Sequence, residues 1–335
     1  MATLMAARPH APNIPATMRA AAIDRFGPPG VLTLREVQTP QAGPGEILIA
    51  LYAAGVGVWD TDIRGGWWPS GKPKFPLVLG TDGAGIVAAR GTGVRRLKVG
   101  DRVWAYEFVN PKGGFYAEFV AVNANHAARV PDSLDLLHAG AGAVTGLTAL
   151  QGIDDHLAVR TGETVLISGA SGAVGTLAVQ FAKRKNATVI GAVRGRDAVR
   201  LVKKLGADAA IDVTSKDYAA QLRAAAPEGV DAALPLAGGD TVEELLDQVN
   251  RGGRIAYPNG VEPAPRKRPG IKIVSYDAEG EPENWTRLNR AVEETQLEVP
   301  IAATFPLAQA AKAHERIAEG HVLGRVVLRV RPGNG

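Results

Sequence analysis

Apolar and polar positions along the chain follow two rhythms, and the change falls near residue 145. Before it, apolar runs are short, rich in β-branched and aromatic residues, and broken by glycine or proline: ILIALYAAGV (47–56), PLVLGTDGAGIVAA (76–89), DRVWAY (101–106) and FYAEFVAV (115–122). Such runs predict strands, and a succession of them between tight turns predicts a β-barrel or sandwich. After it, the runs TVLIS (164–168), TVIGAV (188–193), AAID (209–212), VDAALP (230–235), RIAY (254–257) and IKIVSY (271–276) alternate with helical patterns over 173–185, 197–205, 217–226 and 240–250. This alternation predicts an α/β fold with a parallel, doubly wound sheet. The last run, GRVVLRV (324–330), is a strand that either returns to the first region or joins an edge.

The sharpest local signal is TVLISGASGAVG (164–175), where a β-branched strand breaks into Gly169, Gly172 and Gly175. A helix follows, with the apolar residues Val174, Leu177, Ala178 and Phe181 at i, i+3, i+4 and i+7. Strand, glycine turn and helix in that order are the context of a dinucleotide cradle. Gly172 lets the backbone approach a pyrophosphate, Gly175 lets the helix pack on the strand, and the helix start at Ser171, Gly172, Ala173 and Val174 offers N–H groups to the anion. A merely structural turn is the competing reading, and the second strand at 188–193 favours the cradle. Past that strand the chain reads Arg194, Gly195, Arg196, where an NAD site places an acid beside the ribose hydroxyls. Two guanidinium groups suit a 2′-phosphate instead, which predicts NADPH. The competing reading leaves both arginines as surface charge and gives Asp197 to the ribose of NAD.

Composition narrows the function classes. The length of 335 residues suggests about two domains at roughly 150 residues each. With 46% apolar and 21% charged residues the chain is neither disordered nor fibrous. Net charge is only +4, and bases are dispersed apart from 194–204 and a proline-flanked surface cluster at 265–270, so a phosphate-bearing small ligand fits better than nucleic acid. The absence of cysteine removes disulfides, thiolate nucleophiles and cysteine-ligated zinc, and the six histidines show no paired spacing, so no metal is expected. No apolar run approaches the roughly 18 residues of a membrane span, and no nucleophile elbow or Ser-His-Asp order points to a hydrolase. Residues 1–17, MATLMAARPHAPNIPAT, read either as a transit peptide or as a flexible N-terminal tail; the tail, and a cytoplasmic location, are the expectation.

From Met18 to Val330 the order of motifs resembles the medium-chain dehydrogenase/reductase superfamily and, within it, the zinc-independent NADPH:quinone oxidoreductase (zeta-crystallin-like) branch. The matching stretches are VWDTDIRGG (58–66), PLVLGTDGAGIV (76–87), VGDRVWA (99–105), GGFYAEFVAV (113–122), TGLTALQGI (145–153), SGASGAVG (168–175) and GRVVL (324–328). The resemblance implies a GroES-like β-barrel catalytic domain over 18–144, a Rossmann NADP-binding domain over 145–285, and a C-terminal segment, 286–335, returning to the catalytic domain. It also implies a homodimer and hydride transfer from NADPH to a quinone or an α,β-unsaturated carbonyl compound. The alternative is a non-catalytic, crystallin-like NADPH-binding protein.

Alcohol dehydrogenases of the superfamily carry a cysteine near position 57 and a His-Glu pair near 81 and 82; this chain has Gly57, Thr81 and Asp82. Without a Lewis acid to stabilise an alkoxide, hydride addition to an already electrophilic carbon is the expected chemistry. Quinone oxidoreductases usually have asparagine at the position of Gly57 and often tyrosines at those of Asp62 and Trp68. The lysine and tyrosine with which some members hold the 2′-phosphate fall at Ala198 and Val213, leaving Arg194 and Arg196 as replacements. By the same matching, Thr148, Leu236, Pro258 and Asn259 lie along the nicotinamide ribose and ring, and Gly324 at the cofactor edge. Trp59, Trp67, Trp68, Phe108, Phe115 and Tyr116 either wall an apolar cleft or simply pack; Trp59, Trp68 and Tyr116 are the substrate-contact candidates. Asp60 and Asp62 either relay a proton or cap turns, and Asp62 is the candidate catalytic acid. Enoyl-thioester reductases use a tyrosine acid where this chain has Trp67 and Trp68. With no tyrosine at 62, 67 or 68, the proton is expected from solvent or only weakly from a side chain.

Overall fold

The computed structural model describes residues 13–69 and 71–331. Residues 1–12 of the expected tail lie outside the described residues, and Thr17 already opens the first strand, β1 (Thr17–Ile23). β1 pairs antiparallel with β2 (Thr33–Gln38). The centre of the first region is β3 (Glu46–Val56), an eleven-residue strand buried along most of its length. After it come α1 (Val58–Gly65), β4 (Leu77–Val78), β5 (Asp82–Arg90), β6 (Arg102–Tyr106), β7 (Phe119–Asn123) and β8 (Ala127–Arg129). β3 pairs with both β5 and β7, and β6 lies between β5 and β8. Ile47, Ile49, Leu51, Val87, Val103 and Val120 fill the barrel between these strands.

The change of texture at residue 145 falls inside a helix, α2 (Leu136–Gln151), rather than between elements. α2 is rich in alanine and glycine and is buried on nearly every side, wedged between β3, β5 and β6 and the helices of the second region. A helix without a polar face carries no 3.6-residue alternation to announce it. Beyond it lie β9 (Thr164–Ser168), α3 (Ala173–Arg184), β10 (Thr188–Val193), α4 (Arg196–Lys204), β11 (Ala209–Asp212), α5 (Tyr218–Ala225), β12 (Val230–Pro235), α6 (Asp240–Leu246), β13 (Val249–Pro258) and β14 (Lys272–Tyr276). They form one parallel sheet in the order β11-β10-β9-β12-β13-β14, the doubly wound Rossmann order with its switch point beside β9. Successive side chains of a strand point to opposite faces. Accordingly Val165 and Ile167 pack with α3 and α4, while Leu166 and Ile190 pack with α5 and α6. The helix expected over 240–250 ends at Leu246, because Val249 already pairs with Val230 ahead of an irregularity in the β12–β13 register.

The chain then forms α7 (Pro282–Thr295), β15 (Ile301–Pro306), α8 (Ala310–Ala318) and β16 (Arg325–Arg329). The expected boundary at 285 falls inside α7, whose Trp285 rests against Trp104 of β6. β16 pairs antiparallel with β3 and parallel with β15, so the last strands join the barrel sheet. No helix among the described residues is long and apolar enough to cross a membrane.

Candidate active site

The phosphate end of the site is built from backbone. β9 ends at Ser168, Gly169 turns with φ +70°, and Gly172 is the extended residue that opens α3. No side chain caps that helix, which leaves its first N–H groups to an outside partner. A Cβ on Gly175 would stand 2.3 Å from the Gly169 oxygen and 2.6 Å from the Ala170 Cα, so close strand–helix packing requires glycine there. A Cβ on Gly172 would meet nothing nearer than the Gly169 oxygen at 3.4 Å; the space above it is open to a ligand. Ser171, Ala173 and Val174 are half-buried around this opening. The C-terminal segment closes one side, where the Gly324 N–H donates to the Ser171 carbonyl at 2.8 Å. Leu236 lies beside Gly169 and donates its N–H to the Ser168 carbonyl. Pro258 ends β13, and the Asn259 side chain donates to Asp277 at 2.8 Å. The Thr148 hydroxyl is turned back into α2, donating to the Val144 carbonyl, while its own carbonyl accepts from the Tyr276 hydroxyl.

At the tip of β10, Arg194 and Arg196 are exposed on either side of Gly195, whose N–H donates to Asp212 at 2.9 Å. Asp197, the competitor for an NAD ribose, pairs with Arg200 one helical turn on. Neither Arg194 nor Arg196 forms an ion pair among the described residues. A third group joins them that the sequence does not announce: the His321 ring stands 3.7 Å from where a Gly195 Cβ would be, brought there by the segment leading into β16. The arrangement of these three can receive an anion.

The opposite end is built from side chains. Gly57 precedes α1, and a Cβ there would stand 2.4 Å from the Trp59 ring; the indole has folded back over the glycine. The Trp59 Nε1 donates to the Thr81 hydroxyl at 2.7 Å, and the Arg325 guanidinium lies 5.2 Å from the ring. Arg325 donates to Asp82 at 2.8 Å, with side chains 3% and 0% exposed. The other Asp82 oxygen accepts from the Val144 N–H of α2, tying floor to helix. Asp60 is fully buried; one of its oxygens accepts from the Gly57 N–H at 2.8 Å and from the Tyr116 hydroxyl at 3.1 Å. Burial pushes its carboxyl up to about 7, despite the Gly57 N–H and Arg325, with Asp82 adding to the rise. His314 Nε2 lies 3.2 Å from the same Tyr116 hydroxyl, and burial next to Arg64 lowers the ring to about 3, so it is neutral.

These positions correct several expectations. Asp62 is exposed, because residues two apart on α1 point to nearly opposite sides; Asp60, not Asp62, is the buried acid. Tyr116 and Phe115 are sealed in the barrel core rather than lining a cleft, and Trp68 is half-buried against that core. Trp59 does face the floor, while Trp67 and Phe108 are exposed with ring centroids 6.0 Å apart. A residue absent from the sequence reading also enters. Tyr106 sits directly opposite Asp82 in the β5–β6 register, points toward the second region with Trp104, and is half-buried.

The barrel and the doubly wound sheet with a glycine loop at its switch point form the architecture of a dinucleotide-binding protein. Residues 43–132 match the alcohol dehydrogenase GroES-like domain, and residues 205–328 match the family described as zinc-binding dehydrogenase. A quinone oxidoreductase of Rattus norvegicus is 30% identical over 93% of this chain and 97% of its own length. An alcohol dehydrogenase of Geobacillus stearothermophilus is 30% identical over 94% and 99%. The crystal structure of the Escherichia coli quinone oxidoreductase complexed with NADPH superimposes with a TM-score of 0.82 at 26% identity, over 94% of this chain and all of that one. The chain belongs to the medium-chain dehydrogenase/reductase superfamily of oxidoreductases.

Proposed function

We propose that the protein reduces quinones or α,β-unsaturated carbonyl compounds with NADPH and without a metal. The observation that carries this reading is the cleft floor. At the three positions where zinc-dependent relatives place ligands, Gly57 has no donor, the Thr81 hydroxyl is engaged by Trp59, and Asp82 is engaged by Arg325. A zinc ion needs three or four nitrogen, sulfur or oxygen donors in tetrahedral array, and this set does not fit one. The dinucleotide does fit: its pyrophosphate belongs at the uncapped start of α3 over Gly172, and its 2′-phosphate beside Arg194, Arg196 and His321. When bound, the reduced nicotinamide supplies a hydride. The chain's own part is to hold the dinucleotide from the phosphate end and to present a flat apolar acceptor to the Trp59 side.

The exposure of Asp62 and the lack of a side chain at Gly57 favour one second reading, a protein that binds NADPH without turnover. Following NADPH and NADH absorbance against a panel of quinones, enones and alcohols, with and without EDTA, decides among these. Oxidation of NADPH by quinones or enones, unchanged by EDTA, supports the proposal. Turnover lost to EDTA and restored by zinc overturns it, and tight NADPH binding with no acceptor reduced favours the second reading.

A further inference from the structure

We propose that the Tyr106 hydroxyl is the hydrogen-bond donor and proton source for the acceptor's carbonyl oxygen. This rests on the reading above as a reductase of quinones or enones. Tyr106 is the last residue of β6, where the barrel sheet meets the second domain. Its neighbour on the same face, Trp104, is packed into the domain interface against Trp285. At the end of the same strand Tyr106 is only half-buried. Its ring lies 3.4 Å from the space a Gly280 Cβ would take, so the second domain supports it from one side. Asp82 stands opposite in register. The hydroxyl bonds to no described residue and is not among the polar atoms sealed from solvent, unlike the hydroxyls of Tyr116 and Tyr276, which are both engaged.

A phenol so placed has the right charge state for the task. Burial, reinforced by Asp277, Asp82 and Asp60, raises it above its ordinary value, so it stays a neutral donor through the physiological range. When an acceptor gains a hydride at carbon, an electron pair moves onto its carbonyl oxygen. The Tyr106 O–H bond then breaks as the proton passes to that oxygen, giving a tyrosinate and the enol or, from a quinone, the keto tautomer of the hydroquinone, which exchanges a carbon proton for an oxygen proton in solvent. The surrounding carboxylates make the tyrosinate unfavourable, so it regains a proton from solvent at once. A neutral phenol next to three acids also discriminates: its O–H donates to a carbonyl oxygen, while the acids disfavour an anionic acceptor.

Tyr106→Phe keeps the ring against Gly280 and removes only the oxygen. The expected result is a fall in kcat of roughly 100-fold, the scale of a lost oxyanion donor or general acid. NADPH affinity and melting temperature should not change. A readout without cofactor is quenching of tryptophan fluorescence by a para-quinone, whose dissociation constant should rise about fivefold on loss of one hydrogen bond of about 1 kcal/mol. Asp62→Asn should leave kcat within about twofold, as an exposed residue does when it makes no transition-state contact. If wild type reduces acceptors and Tyr106→Phe matches it in kcat and quinone binding, the assignment is overturned while the reductase reading stands. A wild type that reduces no acceptor overturns the reading and Tyr106's role with it.

Discussion

The two ends of the cleft are built in opposite ways. The phosphate end is backbone: a φ-positive turn at Gly169 and an uncapped helix start at Gly172, closed on one side where the Gly324 N–H donates to the Ser171 carbonyl. The floor is side chains drawn from distant parts of the chain, Trp59, Thr81, Asp82, Tyr106 and Arg325, backed by the sealed cluster of Asp60, Tyr116 and His314. Backbone donors bind what every dinucleotide shares. Side chains differ from one acceptor chemistry to another, and are exchanged together with the partners that hold them. A family that hosts both alcohol dehydrogenases and quinone oxidoreductases can therefore keep one end and rewrite the other.

The largest way to break this contrast is at the floor's ion pair. Arg325→Leu strands the buried Asp82 carboxylate and should cost about 3–5 kcal/mol in urea unfolding, whereas Asp82→Leu combined with Arg325→Leu should recover most of the loss. An Arg325→Leu variant as stable as wild type would mean that the pair is dispensable. Asp60 gives the next effect. Its carboxyl is held at about 7 against an ordinary 3.8, so the folded chain retains a proton that the unfolded chain releases between those values. Its contribution is complete at the acid end of that window and is lost as pH rises through it. Asp60→Asn retains an oxygen for the Gly57 N–H and removes the titration, so its urea midpoint should decline less than wild type from pH 4 to about pH 7. Parallel profiles would contradict the placement of that proton.

The glycines sharpen the contrast from the other end. Gly175→Ala drives a methyl into the Gly169 and Ala170 backbone and should cost about 1–3 kcal/mol, read as a lower melting temperature. Gly172→Ala has room in the protein and should hold stability within about 0.5 kcal/mol, yet weaken NADPH binding in a titration. At the rim, Arg194→Ala should weaken NADPH about tenfold, leave NADH little changed, and matter less as salt rises. His321→Ala should do the same on a smaller scale, up to about fivefold, since it is exposed. Equal losses for NADH and NADPH in either variant would show that no 2′-phosphate is gripped there.

The alternating strands and helices of the second domain, and the strand–turn–helix at 164–175, were legible because each rests on a local rule: period, glycine spacing, and β-branching next to a turn. The helix α2 was not, since a segment buried on all sides shows no polar face. For Asp60 the chain leaves relay and cap open; it does cap α1, and only burial, with Asp82 adding to it, makes it a titrating group near neutrality. Asp62 and Asp60 look alike in WDTDI, and the helix turns one inward and the other out.

By itself the sequence determined the fold class, the glycine cradle and the loss of the metal-ligand residue types, because each is a property of neighbours in the chain. Only the tertiary structure decided that Trp59 lies over Gly57, that Arg325 locks Asp82, that His321 comes to the strand tip, and that Tyr106 stands opposite Asp82. These depend on where strands from the two ends of the chain meet, and a side chain's direction and burial are set by that meeting rather than by the residues on either side of it.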